Sequence, residues 1–400
     1  MKGFETKALL HRNALSRLNN NEVAFAGSRP PRTPARPSGG AVPSSVFLRG
    51  NHENHAHIQS RRTILNILPA VDVGIASFSR NEAYFAPPPT IEANVFTRLP
   101  DKFRKMRRNT WTELNRGGRE AHSFLEGPAF DRQGRLYVTD VPFGRIFRIS
   151  PQGEWEQVAE YDGWPNGLKI HKDGRIFIAC YKRGLMLLNP DSGAVTPFLE
   201  GAGSESFKGL NDLTFAANGD LYFTDQGETG LQDATGRVYR LSASGVLTML
   251  INSVPSPNGI VIDTGMNNLF IAATRAQQIW RIPLQASGRV AKVGVFAQLH
   301  GGLGGPDGIA LDEDGCLIVC HTSFGSIWRL SPVAEPLLRI PSKEGINTTN
   351  VAFGGPDRKS LFITESGTGS ILRAEMPAPG QLLYSHAVGP AYDAGFSGWI

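Results

Sequence analysis

Six polar residues recur along the chain in the same local setting. Glu126, Asn166, Asn211, Asn258, Asp307 and Asn350 each open a short apolar run, at successive intervals of 40, 45, 47, 49 and 43 residues. All six carry a side-chain oxygen that can ligate a cation, and Glu126 and Asp307 add negative charge. Carboxylate and amide oxygens with room for water are the donors Ca2+ prefers, so a divalent metal, first of all Ca2+, is the expected cofactor, with Mg2+, Mn2+ and Zn2+ as alternatives. Zinc would favour His or Cys, and the six include neither. Asn-Gly and Asp-Gly also occur as plain turn dipeptides. Six occurrences in register, placed before a strand rather than at its turn, point instead to a functional site.

The positioning elements are strands. Glu126, Asn166, Asn211 and Asp307 each stand eight residues before a turn glycine, Gly134, Gly174, Gly219 and Gly315. Short β runs follow, such as Leu136-Tyr137-Val138, Leu221-Tyr222-Phe223 and Leu317-Ile318-Val319, and most units add a third, as in Gly236-Arg237-Val238-Tyr239-Arg240-Leu241. Units of 40 to 50 residues with three or four strands mark a β-propeller. The expected fold is therefore an all-β, six-bladed β-propeller over residues 91–385. Each first strand would lie nearest the axis, which turns the six polar residues into a ring. The last unit is short of strands after Arg373, so a strand near Ala93 to Arg98 is expected to complete its sheet and protect the edge. Asp101 to Arg108 reads as a basic helical turn on the domain edge.

A second tier stands at the ends of the second strands: Asp140, Cys180, Asp225, Ala273, His321 and Glu365. These strands run back toward the mouth, which makes Asp225 and His321 candidates for the substrate rim. The competing reading is that an acid at a strand end caps a turn. Cys180, in an apolar strand, reads as a small buried hydrophobe. The loops Phe198 to Phe207, Gln226 to Thr235 and His300 to Gly304 are expected to supply the pocket walls.

Composition narrows the classes. The 400 residues are 40% hydrophobic and 19% charged, with 45 glycines, as fits a soluble, turn-rich globular chain. Three cysteines, Cys180, Cys316 and Cys320, form no Cys-x-x-Cys pair, so a reducing compartment and a cytoplasmic location are expected. Residues 1–110 hold 17 Lys and Arg against 7 Asp and Glu, which accounts for the net charge of +5. This basic stretch is rich in Pro, Ser and Asn, and residues 1–90 read as a disordered extension. Loosely helical spacing of Lys2, Lys7, Arg12 and Arg17 keeps organellar targeting open, although Glu5 and Glu22 weaken it. Residues 386–400 read as a C-terminal tail. No nucleic-acid motif accompanies the basic charge and no run is long enough for a transmembrane helix, so neither nucleic acid nor membrane is an expected partner. A monomer or weak homo-oligomer is expected.

The units Phe124-Leu125-Glu126-Gly127-Pro128, Leu210-Asn211-Asp212, Pro257-Asn258-Gly259 and Pro306-Asp307-Gly308 resemble the motifs of the senescence marker protein (regucalcin)/gluconolactonase/luciferin-regenerating enzyme family over about residues 95–385. The resemblance implies a six-bladed propeller with one axial divalent metal, commonly Ca2+, and lactone hydrolysis. It implies Glu126, Asn258 and Asp307 as metal ligands, Asn211 toward the substrate and its water, and Asp307 also placed for proton transfer. Asn166 and Asn350 could add ligands or polar substrate contacts. Better known members place an arginine just before the substrate-contacting asparagine, whereas Gly209-Leu210 precede Asn211 here, so a sugar acid lactone is the less secure substrate.

The expected partner is thus a small lactone or ester, opened by metal polarisation of its carbonyl and attack of a water deprotonated by Asp307. No Gly-x-Ser-x-Gly nucleophile elbow competes for that role. Two other readings are carried: a non-catalytic propeller that binds a protein or peptide, and a propeller enzyme of the arylesterase or strictosidine synthase type.

Overall fold

The computed structural model describes residues 87–387, apart from residue 286. The expected extension over residues 1–90, its targeting segment and the tail over 386–400 fall outside the described residues, save 87–90 and 386–387. Within them the chain forms six four-stranded antiparallel sheets, each in simple up-and-down order. The innermost strands are Leu125–Phe130, Pro165–Ile170, Leu210–Phe215, Pro257–Ile262, Gly305–Leu311 and Thr348–Gly354. They open blades 1 to 6 of a β-propeller. Turn glycines behave as their spacing predicts: Gly315 has a φ of 74°, a left-handed conformation that side chains resist.

Among the described residues the apolar side chains sort into seven clusters, six of them one in each joint between neighbouring blades and the seventh, around Trp111 and Trp164, at the cavity wall. Tyr137 and Ile146 of blade 1, for example, pack on Leu168 and Ile178 of blade 2. Phe362 and Ile371 of blade 6 pack on Leu125 and Phe147 of blade 1, which closes the circle. The inner strands of each sheet are buried on both faces and read as near-continuous apolar runs, whereas outer strands such as Trp155–Glu160 and Leu247–Val254 are partly exposed. The strand Asn94–Arg98 completes blade 6, pairing antiparallel with Ser370–Glu375 and supplying the outer strand the last unit lacks. Its Thr97 hydroxyl also donates to Gly153 O at 2.8 Å and accepts from Trp155 Nε1 at 3.0 Å in blade 1. The same segment therefore holds the first and last blades together.

Two connections differ from expectation or add to it. In place of a helical turn over Asp101 to Arg108, a 3-10 turn spans Asp101–Phe103 and the helix comes later, at Thr110–Arg116. Asn109 starts it: its side chain accepts from Thr112 N, while the Thr112 hydroxyl accepts from Asn109 N. At the opposite end of the channel, the chain beyond the last strand crosses the blades. Gln381 N donates to Leu311 O at 2.9 Å, and Tyr384 stacks on Phe215. The axial channel is thereby covered at one end and open at the other. Among the described residues no helix is long and apolar enough to cross a membrane.

Candidate axial site

The polar ring forms because of a repeated irregularity in the innermost strands. In blades 1 to 5 the pairing with the second strand slips across Glu126/Ala129, Pro165/Leu168, Leu210/Leu213, Pro257/Ile260 and Pro306/Ile309. A bulge re-aims a side chain; Asn166, Asn211, Asn258 and Asp307 sit inside these slips and Glu126 at the edge of its own. All five line one cavity of about 840 Å3 at the open end of the channel. Asn166 is half-buried and the other four are buried.

Asn350 does not take the sixth place. Thr348 pairs with Glu365 at the end of the second strand, as Leu210 does with Asp225, so the residue matching Asn211 is Thr349. The Thr349 hydroxyl donates to Leu125 O at 2.8 Å and is fully buried. Asn350 falls one residue further on, at the position held by Asp212 in blade 3 and by glycine in blades 1, 2, 4 and 5. Glycine is needed there because the strands converge on the axis. A Cβ on Gly308 would lie 2.2 Å from the Asn350 side chain, and one on Gly167 would lie 2.3 Å from Asp212 Oδ1. Asn350 and Asp212 thus form a deeper layer beneath the ring, and Asn350 does not line the cavity.

That deeper layer sets the electrostatics. Asn350 Nδ2 donates to Glu126 Oε2 at 3.1 Å, and Lys169 Nζ lies 3.8 Å from Asp212 Oδ1. Burial, with the Asp212 charge added to it, pushes the Glu126 carboxyl up to about 8 despite the Asn350 and Gly127 donors. Asp307 is driven well above the usual carboxylate range by burial and by the charges of Glu126 and Asp212, while Arg275 and the Asn258 amide act the other way. Asp307 Oδ1 is buried without a hydrogen-bond partner. Lys169 acts on Glu126 and Asp212 and Arg275 on Asp307, and an orphaned carboxylate oxygen in such a place is costly unless a cation meets it.

The residues therefore fit a bound cation, and the donor set selects its kind. Among the described residues no three His, Cys, Asp or Glu side chains gather as a metal cluster, so amide oxygens would have to complete the shell begun by Glu126 and Asp307. Such a shell suits a hard, oxygen-seeking ion. Asn211 is oriented for a further role. Its Nδ2 donates to Gln226 Oε1 at 3.0 Å, and Gln226 Nε2 donates to Ser256 Oγ at 2.9 Å. The amide nitrogen is thus committed to the wall, which leaves the oxygen as the group Asn211 can offer.

The second-tier candidates lie behind the wall. Asp225 is fully buried, accepts from Gly209 N at 2.8 Å and pairs with Arg237 at 2.9 Å. His321 is fully buried, stacks on Phe324 and accepts from Trp328 Nε1 at 3.3 Å. Asp140 and Glu365 accept from Phe124 N at 2.7 Å and Asn347 N at 3.0 Å, as Asp225 does from Gly209 N. In three blades an acid at the end of the second strand thus fixes the backbone two residues ahead of the ring position. These residues hold the rim's loops in place and do not line the cavity.

The walls come partly from the expected loops. Residues 226–232 and Leu303-Gly304 line the cavity, whereas Phe198 to Phe207 does not. The helix Thr110–Arg116 supplies an unexpected wall. Trp111 packs on Phe124 with ring centroids 4.9 Å apart, and Trp164 on Tyr181 at 5.4 Å. Arg116, Arg119 and Arg275 complete the mouth. The Asn109-x-x-Thr112 capping pattern beside Trp111 was the available signal for this helix.

Six four-stranded blades around an axial cavity lined by two carboxylates and three amides define the class as a six-bladed β-propeller. The chain belongs to the SMP-30/Gluconolactonase/LRE-like family, whose profile matches residues 124–367. Lactonase drp35 of Staphylococcus aureus is 28% identical over 246 residues, covering 58% of this chain and 74% of that protein. Lactonase drp35 of Staphylococcus saprophyticus is 29% identical over 243 residues, covering 58% and 72%. Among solved structures, regucalcin from Agrobacterium tumefaciens, described as a calcium-binding protein, aligns with a TM-score of 0.61 at 21% identity, covering 77% of this chain and 100% of that one. A luciferin-regenerating enzyme aligns with a TM-score of 0.60 at 19% identity, covering 68% and 96%. At these identities the structural likeness establishes the fold.

Proposed function

We propose that the chain is a metal-dependent hydrolase that opens a lactone in the axial cavity. The observation that carries this reading is the pair of buried carboxylates lining the cavity, Glu126 and Asp307, the latter with an oxygen that has no hydrogen-bond partner. The relatives that are lactonases support the choice of substrate class. Glu126, Asn258 and Asp307 would hold a divalent cation, most simply Ca2+, and such an ion supplies polarisation of a carbonyl and offsets developing negative charge.

The chain's own groups do the rest. Asp307 Oδ1 accepts the proton of a water as the water oxygen bonds to the lactone carbonyl carbon. The ring C–O bond then breaks, the same proton passes to the departing alkoxide, and a hydroxy acid leaves. Asn211, fixed by Gln226, orients the water and substrate through its oxygen, and Asn166 adds a polar contact at the rim. Asn350 acts one step back, holding Glu126 in place. The aromatic wall keeps bulk water from the reacting carbonyl.

The decisive experiment is a hydrolysis screen of lactones, aryl esters and phosphotriesters, with Ca2+ and with EDTA. Lactone turnover that EDTA abolishes and Ca2+ restores supports the reading. Preferred turnover of aryl esters would move the protein to the arylesterase class, and turnover indifferent to EDTA would remove the metal.

A further inference from the structure

Among the described residues, three arginines at the cavity mouth form no ion pair with an acid. Arg116 and Arg119 come from the end of the helix and the turn after it, over blade 1, while Arg275 comes from the 3-10 turn Thr274–Ala276 of blade 4, across the channel. Elsewhere in the propeller the pattern is the reverse: Arg145, Arg237 and Arg329 each grip a buried aspartate, at 2.5, 2.9 and 2.7 Å. Among the described residues, the lining carboxylate nearest the mouth is Glu228, and it is taken up by the Tyr181 hydroxyl at 2.7 Å. Free guanidinium groups around a concave site raise the local concentration of anions, and each offers a planar fork that matches a carboxylate or a phosphate.

Arg275 is the one of the three placed to act on bound substrate. Its side chain is exposed into the cavity, yet it is near enough to Asp307 for its charge to be felt there. The wall across from it is flat and apolar. Trp111, Trp164 and Tyr181 line the blade 1 and blade 2 side, Trp111 in tilted contact with Phe124 and Trp164 with Tyr181, and the two tryptophans share an apolar cluster with Val141. A substrate lying over the floor would thus have a cation at one end and aromatic faces at the other.

We propose that the substrate is an anionic lactone with a flat apolar group, its carboxylate or phosphate held by Arg275 and its flat group laid against Trp111, Trp164 and Tyr181. Arg116 and Arg119 steer the anion into the mouth. This specificity rests on the lactonase reading for the choice of reacting group, but the recognition itself is a binding property and is tested as one.

The test uses the full chain and four probes that cannot be hydrolysed as lactones: 3-phenylpropanoate, its primary amide, phenyl phosphate and gluconate. Binding is measured by calorimetry and by tryptophan fluorescence. Expected is at least tenfold tighter binding of 3-phenylpropanoate than of the amide or of gluconate. In Arg275→Gln the preference for acid over amide should fall below about threefold, with the amide's own affinity kept. Phenyl phosphate binding tighter than 3-phenylpropanoate assigns the anion as phosphate, and the opposite order assigns it as carboxylate. Equal binding of acid and amide, gluconate binding as tightly as the aryl acid, full discrimination in Arg275→Gln, or no binding of any probe would each overturn the proposal. Lactone turnover is assayed separately. Discrimination without turnover removes the hydrolytic reading and keeps the recognition, whereas turnover without discrimination removes the recognition alone.

Discussion

Asn350 Nδ2 donates to Glu126 Oε2 across 3.1 Å, joining residues 224 positions apart where the last blade meets the first. The bond ties the closure of the propeller to the orientation of a site carboxylate. Truncating Asn350→Ala leaves that buried carboxyl one donor short, a loss of about 1–3 kcal/mol in unfolding free energy. Urea denaturation should show it, together with about tenfold weaker Ca2+ binding in a calorimetric titration. Unchanged values for both would mean that Glu126 is positioned without Asn350.

Asp307→Asn should separate stability from activity. Burial and two neighbouring charges raise the Asp307 carboxyl, so keeping it in the folded protein is a cost that grows with pH above the ordinary carboxylate range. Without added cation the variant should melt higher than the wild type, and the gap should widen as pH rises from about 4 toward 8. Lactone hydrolysis should fall by about 10^2 to 10^4. Added Ca2+ at about 100 times its Kd should stabilise the wild type by about 2.7 kcal/mol and leave the variant unmoved. A variant that melts lower at every pH and still responds to Ca2+ would contradict the assignment.

The entry strand is predicted to act as the clasp of the ring. Asn94–Arg98 supplies the outer strand of blade 6 and reaches blade 1 through Thr97, so a chain starting at residue 99 loses both links. Its denaturation should become broad or biphasic, with a smaller dependence on denaturant, whereas Thr97→Ala should cost only about 1 kcal/mol and stay cooperative. A single sharp transition in the shortened chain would show that blade 6 closes on three strands.

His321 offers a pH test away from the site. Burial, and to a lesser extent the Arg339 charge, lowers its pKa, so the folded protein holds it neutral while the unfolded chain protonates it. Its contribution is intact above the unfolded value of about 6.5 and is lost as pH falls toward the lowered folded value. Relative to His321→Gln, the wild type should lose up to about 1.4 kcal/mol per pH unit between pH 6 and 5. Parallel stability curves for the two proteins would show that His321 does not change protonation on unfolding.

Sequence periodicity was enough for the fold because a propeller repeats its instructions. Four of the six units carry the turn glycine in the same register and all six carry the apolar runs, and even the missing strand of the last unit could be sought near Ala93. Five of the six ring residues were legible for the same reason. The sixth was misplaced by one residue, since Asn350 stands before an apolar run just as Asn258 does, and the slip in strand pairing that makes Thr349 the ring residue depends on the partner strand. Asp225 and His321 were misjudged on similar grounds. Position at a strand end is written in the sequence, but whether the side chain faces the cavity or an arginine and a backbone amide behind it is a matter of packing.

What the chain alone determined, then, is the repeat, the blade count and the residue types on the axis, because these follow from local spacing and from the period of the strands. Only the tertiary structure decided the charge balance and the walls. Asp212, Lys169 and Asn350 meet beneath the ring, and Trp111 and Arg275 face one another across its mouth, because closing six sheets into a circle brings together residues between 40 and more than 200 positions apart. Burial then changes what those groups can do. A carboxylate that would ionise freely in water lies, on the axis, against the charges of Glu126 and Asp212, and the structure leaves it an oxygen without a hydrogen-bond partner.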